Sequence, residues 1–141
     1  MEFITANTQK KVVINRASFR DASNLKKEVM KCLLSLKGID VFTLKAEDKT
    51  KLLDIIIELL ISADTSEGLE NALFACLKNC LYDNFYAITP EFFDDKPEAI
   101  EDYYEIAAKC IEVNLRPFGK SLVTEYKARL AKLPQENQLS E

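Results

Sequence analysis

Apolar residues along this chain recur mostly at helical spacing. Ala22, Leu25, Val29, Cys32 and Leu36 step three and four at a time, which predicts a first helix from about Ser18 to Leu36. Phe19, Leu33 and Leu34 widen that stripe, Arg20, Lys27 and Lys31 occupy the opposite face, and Gly38 marks the stop. A second helix is predicted from about Ala46 to Ala63. Glu47 and Asp48 suit its positive N-terminal end, and its face is Leu52, Leu53, Ile56, Leu59 and Leu60. Ile55, Ile57 and Ile61 make it apolar nearly all round, as expected at the centre of a bundle or in an interface. Thr65 or Ser66 is an N-cap for a third helix from Leu69 to about Leu81, with Leu69, Leu73, Cys76 and Cys80 in line. A fourth starts at Pro97 and carries Ile100, Tyr104, Ala107, Ile111 and Leu115. A last helix over about Lys120 to Lys132 places Leu122, Tyr126 and Leu130 at steps of four, and Pro134 ends it.

Three stretches break the helical rhythm. Residues 1–17 include "KVVIN", β-branched but too short to stand alone, which fits an edge strand, a docked extended arm or an oligomer contact. "YDNFYAITPEFFDDKPEA" connects the third and fourth helices and holds Tyr82, Phe85, Tyr86, Phe92 and Phe93. That density fits a loop folded onto the core or a binding patch, and core cover is favoured because a small bundle must cover its helix ends. "NLRPFG", Asn114 to Gly119, interrupts two good helices. Pro117 lacks an N–H and clashes with the carbonyl of Val113, so the fourth helix must kink or stop near Arg116. Asn114 is placed to bond freed backbone there, and Phe118 to anchor the corner. The pattern predicts an all-α fold: a compact bundle of about five helices with a short extended N-terminal arm. Its divisions are an arm over 1–17, one helical domain over 18–133 and a flexible tail over 134–141.

Composition narrows the chemistry. The chain has 141 residues, 48% hydrophobic and 30% charged, which suits one globular domain with a core of its own. Three glycines and four prolines are few for a many-stranded sandwich. No apolar run reaches the roughly 18 residues that span a bilayer, and the N-terminus lacks the order of a signal peptide, so a cytoplasmic protein is expected. With no histidine, the commonest general base and the usual triads are missing. Cys32, Cys76, Cys80 and Cys110 all lie in apolar helical patterns and read as small core residues. Cys76 and Cys80 share a face, but without histidine or a C-x-x-C pair they do not make a metal motif.

The glycines are too isolated for a phosphate loop, and no serine sits in a nucleophile elbow. The acids of "EFFDDKPEAIEDYYE" are each accounted for by helix N-terminal electrostatics, and the run lacks calcium-loop spacing. No catalytic, cofactor-binding or metal residue is nominated, and a non-enzymatic protein is expected. Charge is uneven. Residues 1–51 hold 11 Lys/Arg and 6 Asp/Glu, residues 52–118 hold 4 and 14, and residues 119–141 hold 4 and 3, for a net −4. That asymmetry suits steering of a partner, or attraction between halves of the fold or between subunits. The overall acidic balance argues against nucleic acid, although a helical regulator binding nucleic acid or a protein through the basic N-terminal half is the alternative reading.

Two segments carry a resemblance. "VVINRASFRDASNLKKEVMKCLL" resembles the start of small proteins encoded in the tail modules of long-tailed phages and prophages, where an I-x-x-A-x-F element precedes a Leu-Lys-rich helix. "YYEIAAKCIEVNLRPFGKSL" is similar to their C-terminal part, where a helix ends in an Asn-x-x-Pro-Phe break. The family is that of the phage tail assembly chaperones. The resemblance implies a protein of the bacterial host cytoplasm that binds the long, helical, apolar tape measure protein and keeps it soluble until tube subunits assemble. It also implies self-association, with no cofactor and no membrane. A groove between apolar helices would suit such a partner. The expected partner-binding residues are Ile55, Ile57 and Ile61 on the second helix and Phe85, Tyr86, Phe92 and Phe93 in the aromatic connection. A purely structural oligomer of the virion is a third reading.

Overall fold

The computed structural model describes residues 1–35 and 67–118, and the helical positions Thr124, Ala128 and Ala131. The order of elements is β1 (Glu2–Ile4), β2 (Lys11–Val13), α1 (Phe19–Ser35), α2 (Glu67–Leu77), β3 (Leu81–Tyr82), β4 (Tyr86–Ala87), α3 (Pro90–Asp95), a 3₁₀ segment (Pro97–Asp102), α4 (Tyr103–Leu115) and a closing 3₁₀ turn (Arg116–Phe118). The predicted second helix, with Ile55, Ile57 and Ile61, lies outside the described residues, as do the connection after Gly38 and the C-terminal tail. Of the predicted last helix, only the three helical positions are described.

The all-α expectation is overturned. Four strands form one antiparallel sheet in the order β1-β2-β3-β4. "KVV" is an interior strand of that sheet and not an arm. It pairs with β1 through Phe3 and Val12, and with β3 through Val12 and Tyr82. Strands of two and three residues carry no readable alternation, and β2 joins β3 by pairing across 70 positions of sequence, Val12 with Tyr82. Local signals exist in the turns. Asp83 and Asn84 both take positive φ, 56° and 59°, as the central residues of a primed turn require, and the Phe85 N–H closes it on the Tyr82 carbonyl at 3.1 Å. Asn and Asp tolerate that conformation best after glycine.

The helices follow the apolar pattern more closely. Leu25, Val29 and Met30 of α1 are buried against Leu69, Leu73, Cys76 and Leu77 of α2. The Glu28 side chain of α1 reaches over Gly68 of α2, where an added Cβ would collide with its carboxylate. Phe19, placed on the apolar stripe by spacing, is 79% exposed, at the end of α1 beyond the α2 contact. In α4 the buried face is Ile106, Ala107, Cys110, Ile111, Val113, Asn114 and Leu115, while Tyr104 is 45% exposed and Ile100, in the preceding 3₁₀ segment, is 54% exposed. The 3₁₀ segment turns the chain by about 120° per residue where the α-helix turns it by 100°, so a 3.6-residue stripe extended back through it misplaces Ile100.

Pro90 opens α3, capped by Thr89, whose Oγ1 accepts from the Phe92 N–H at 3.2 Å. That helix replaces part of the expected loop. Pro97 opens the 3₁₀ segment, and α4 ends at Leu115, two residues before Pro117. Asn114, 2% exposed, uses both ends of its amide there. Oδ1 accepts from the Ala17 N–H and Nδ2 donates to the Cys110 carbonyl, both at 2.9 Å. Phe118 packs half-buried against the core beside Phe19, with the Lys26 ammonium 4.9 Å from its ring centroid.

Candidate partner-binding surface

The aromatic side chains that follow α2 form a continuous chain of ring contacts. Phe85 meets Tyr86 at 4.9 Å, Tyr86 meets Phe92 at 5.7 Å, and Phe92 meets Phe93 at 5.1 Å. Phe93 meets Tyr103 edge-on at 5.6 Å, and Tyr103 meets Tyr104 at 5.4 Å. The centre of this chain is core: Phe92 and Phe93 are 6% and 8% exposed. Its two ends are surface, with Phe85 76% exposed at the tip of the β3–β4 turn and Tyr104 45% exposed on α4. Tyr86, half-buried, lies beneath the Lys96 ammonium, 4.5 Å from its ring centroid. Edge-on and tilted pairs of this kind hold rings rigidly and contribute about 0.5–1.5 kcal/mol each beyond area burial.

Where α2, α3 and α4 meet, this aromatic layer opens into a pocket of about 350 Å³. Phe74, Phe93 and Tyr103 line it, each ring centroid within 6.2 Å of the other two, together with Pro90, Ile100, Glu70 and Asp94. Burial, and then the Glu70 charge beside it, push the Tyr103 hydroxyl up to about 12. A second, smaller hollow lies at the far end of α4, among Ala17, Phe19, Ala22, Pro117 and Phe118.

The layer is held from behind by a buried polar cluster that the sequence did not disclose. Asp102, fully buried, accepts hydrogen bonds at Oδ2 from the Tyr82 hydroxyl at 2.8 Å and from the Thr8 hydroxyl. Thr8 in turn contacts Thr5 at 3.0 Å. On either side, the Ala6 N–H donates to the Glu105 carboxylate at 2.9 Å and the Asn7 amide to the Glu101 carbonyl at 2.7 Å. The β1–β2 turn is thereby fastened to the start of α4. Burial pushes the Tyr82 hydroxyl up to about 12. The reading of every acid in this run as a solvated helix start is therefore corrected at Asp102, which is an interior acceptor. The Asp102 Oδ1 has no hydrogen-bond partner among the described residues.

Cys76, Cys80 and Cys110 take the core positions expected of them, Cys32 packs half-buried against the core, and none of the four is in a disulfide. The Cys76 thiol donates to the Asp21 carbonyl at 3.4 Å, and its proximity together with burial pushes the Cys110 thiol well above its ordinary value. A thiol held protonated in this way is a poor nucleophile. Among the described residues no group of three or more His, Cys, Asp or Glu side chains is arranged to hold a metal ion.

Of the residues nominated for partner binding, Phe85 is an open contact, Tyr86 is half open, and Phe92 and Phe93 are mainly supports. Ile55, Ile57 and Ile61 lie outside the described residues. Phe74, Tyr103 and Tyr104 were not nominated, and their signal was aromatic content on two neighbouring helices. The chain matches no protein-family model, no curated protein and no solved structure. No helix among the described residues is long and apolar enough to cross a membrane.

Proposed function

We propose that this chain is a non-enzymatic assembly chaperone of the phage tail type, which binds the tape measure protein in the bacterial cytoplasm and keeps it soluble until tube subunits displace it. One observation carries the reading: the aromatic layer has a rigid buried centre and exposed ends at Phe85 and Tyr104. Exposed rings anchored on a packed support lose little conformational freedom on binding, so they bind apolar helical stripes efficiently. The resemblance of the segment around the first helix and of "YYEIAAKCIEVNLRPFGKSL" to tail assembly chaperones supplies the identity of the partner. Affinity is moderate in this account, because the tube must be able to compete for the same stripes.

The experiment is a sedimentation assay on purified tape measure protein with and without this chain. A double variant, Phe85→Ser with Tyr104→Ser, removes the two exposed ends and leaves Phe92 and Phe93 in place. The expected result is a variant that stays folded, with the modest loss of stability that two missing ring pairs imply, and at least a roughly tenfold weaker holding activity, about 1.4 kcal/mol of binding. Full activity in that variant would remove the aromatic layer from the mechanism.

A further inference from the structure

We infer that the pocket between α2, α3 and α4 is a receptor for an arginine side chain of the bound polypeptide. Its lining brings the rings of Phe74, Phe93 and Tyr103 together with the exposed acidic residues Glu70 and Asp94. Neither carboxylate has an ion pair among the described residues, whose pairs are Lys10–Asp83, Lys11–Glu2, Lys31–Glu28, Lys78–Asp21 and Arg116–Glu112. The surrounding field has the same sign, since residues 67–118 hold 11 Asp/Glu and 4 Lys/Arg.

An apolar side chain entering this pocket would make no use of the two carboxylates in its lining, whereas a cation pairs with them. Between the two natural cations, a planar guanidinium stacks on a ring face and presents a fork of donors to carboxylates, whereas an ammonium is a strongly hydrated point charge. The methylene stem of an arginine then lies against Pro90 and Ile100, the latter 54% exposed in the empty pocket.

The inference rests on the partner-binding reading only in taking the arginine from a bound chain. The pocket chemistry is tested separately. The full chain, labelled with ¹⁵N, is titrated with N-acetyl-arginine-N-methylamide, with its lysine analogue and with its citrulline analogue, which has nearly the same shape but no charge.

The expected result is saturable shifts centred on Glu70, Phe74, Phe93, Asp94 and Tyr103, with arginine strongest and citrulline weaker by about tenfold. Added salt weakens the arginine response. The double variant Glu70→Gln with Asp94→Asn, both at exposed positions, reduces arginine to the citrulline level with the rest of the spectrum unchanged. Equal binding of arginine and citrulline, shifts centred elsewhere, or an unaffected double variant would each overturn the assignment. Arginine binding alongside a tape measure protein that stays insoluble would uphold the pocket and reject the chaperone reading. The reverse pair of results would reject the pocket alone.

Discussion

Replacing Asn114 with Ala removes a side chain that joins two parts of the chain nearly a hundred residues apart. The Oδ1 bond to the Ala17 N–H, 2.9 Å, fixes the entry into α1 against the exit from α4. The Nδ2 bond adds a second donor to the Cys110 carbonyl, which the helix ladder of α4 also uses, so its loss matters less. One net hydrogen bond contributes about 1 kcal/mol, and leaving the Ala17 N–H and its surroundings without the amide adds about 1 kcal/mol more. The expected destabilisation is about 2 kcal/mol, a fall in melting temperature of roughly 5–10 °C. Asn114→Asp sharpens the case. It keeps an acceptor for Ala17 but sets a negative oxygen against the Cys110 carbonyl, so at neutral pH it should cost more than the alanine variant. Urea titration with an unchanged m-value is the assay. A loss under about 0.5 kcal/mol for Asn114→Ala, or an aspartate variant as stable as the parent, would refute the pinning role.

Phe118→Ala should cost about 1–2 kcal/mol by thermal melt, less than for a fully buried ring, because Phe118 is half-buried beside the exposed Phe19; no loss would mean that it supports nothing. Gly68→Ala should lie within about 0.5 kcal/mol of the parent, because its helical gain is offset by displacing the Glu28 carboxylate. In a Glu28→Ala background the same change should stabilise by about 0.5–1 kcal/mol, and a coupling of zero in that cycle would contradict the contact. The Tyr82 hydroxyl, raised to about 12 chiefly by burial, holds its proton longer in the folded state than the ordinary value near 10 allows. Its contribution to stability is therefore full below about pH 10 and lost as pH rises towards 12, on the order of 2 kcal/mol in all. Stability measured over that range should fall less steeply for Tyr82→Phe, and an identical slope would show that Tyr82 is not the group responsible.

What could be read from the sequence divides by the length of the signal. The stripes of α1 and α2 run for several turns, and Leu25, Val29, Leu69, Leu73 and Cys76 are buried as their spacing requires. The break at Pro117 and the Asn114 bond to the Cys110 carbonyl were legible because proline and asparagine act on their immediate neighbours, whereas the Asn114 bond to Ala17, 97 positions away, was not. The sheet was not legible, because β3 and β4 are two residues each and draw their stability from pairing with β2 and from the rings behind them. The buried Asp102 was hidden for a related reason. Its partners, Thr8 and Tyr82, are distant in sequence, and an aspartate at a helix start is ordinarily solvated. The aromatic connection announced its density but not its geometry: the spacing alone did not separate the supporting Phe92 and Phe93 from the open Phe85.

Co-expression with the tape measure protein tests the proposed holding of a long apolar helical polypeptide most directly. The tape measure protein is expected to move from the insoluble to the soluble fraction and to co-purify with this chain. A tape measure protein equally insoluble with and without it would reject the proposed function.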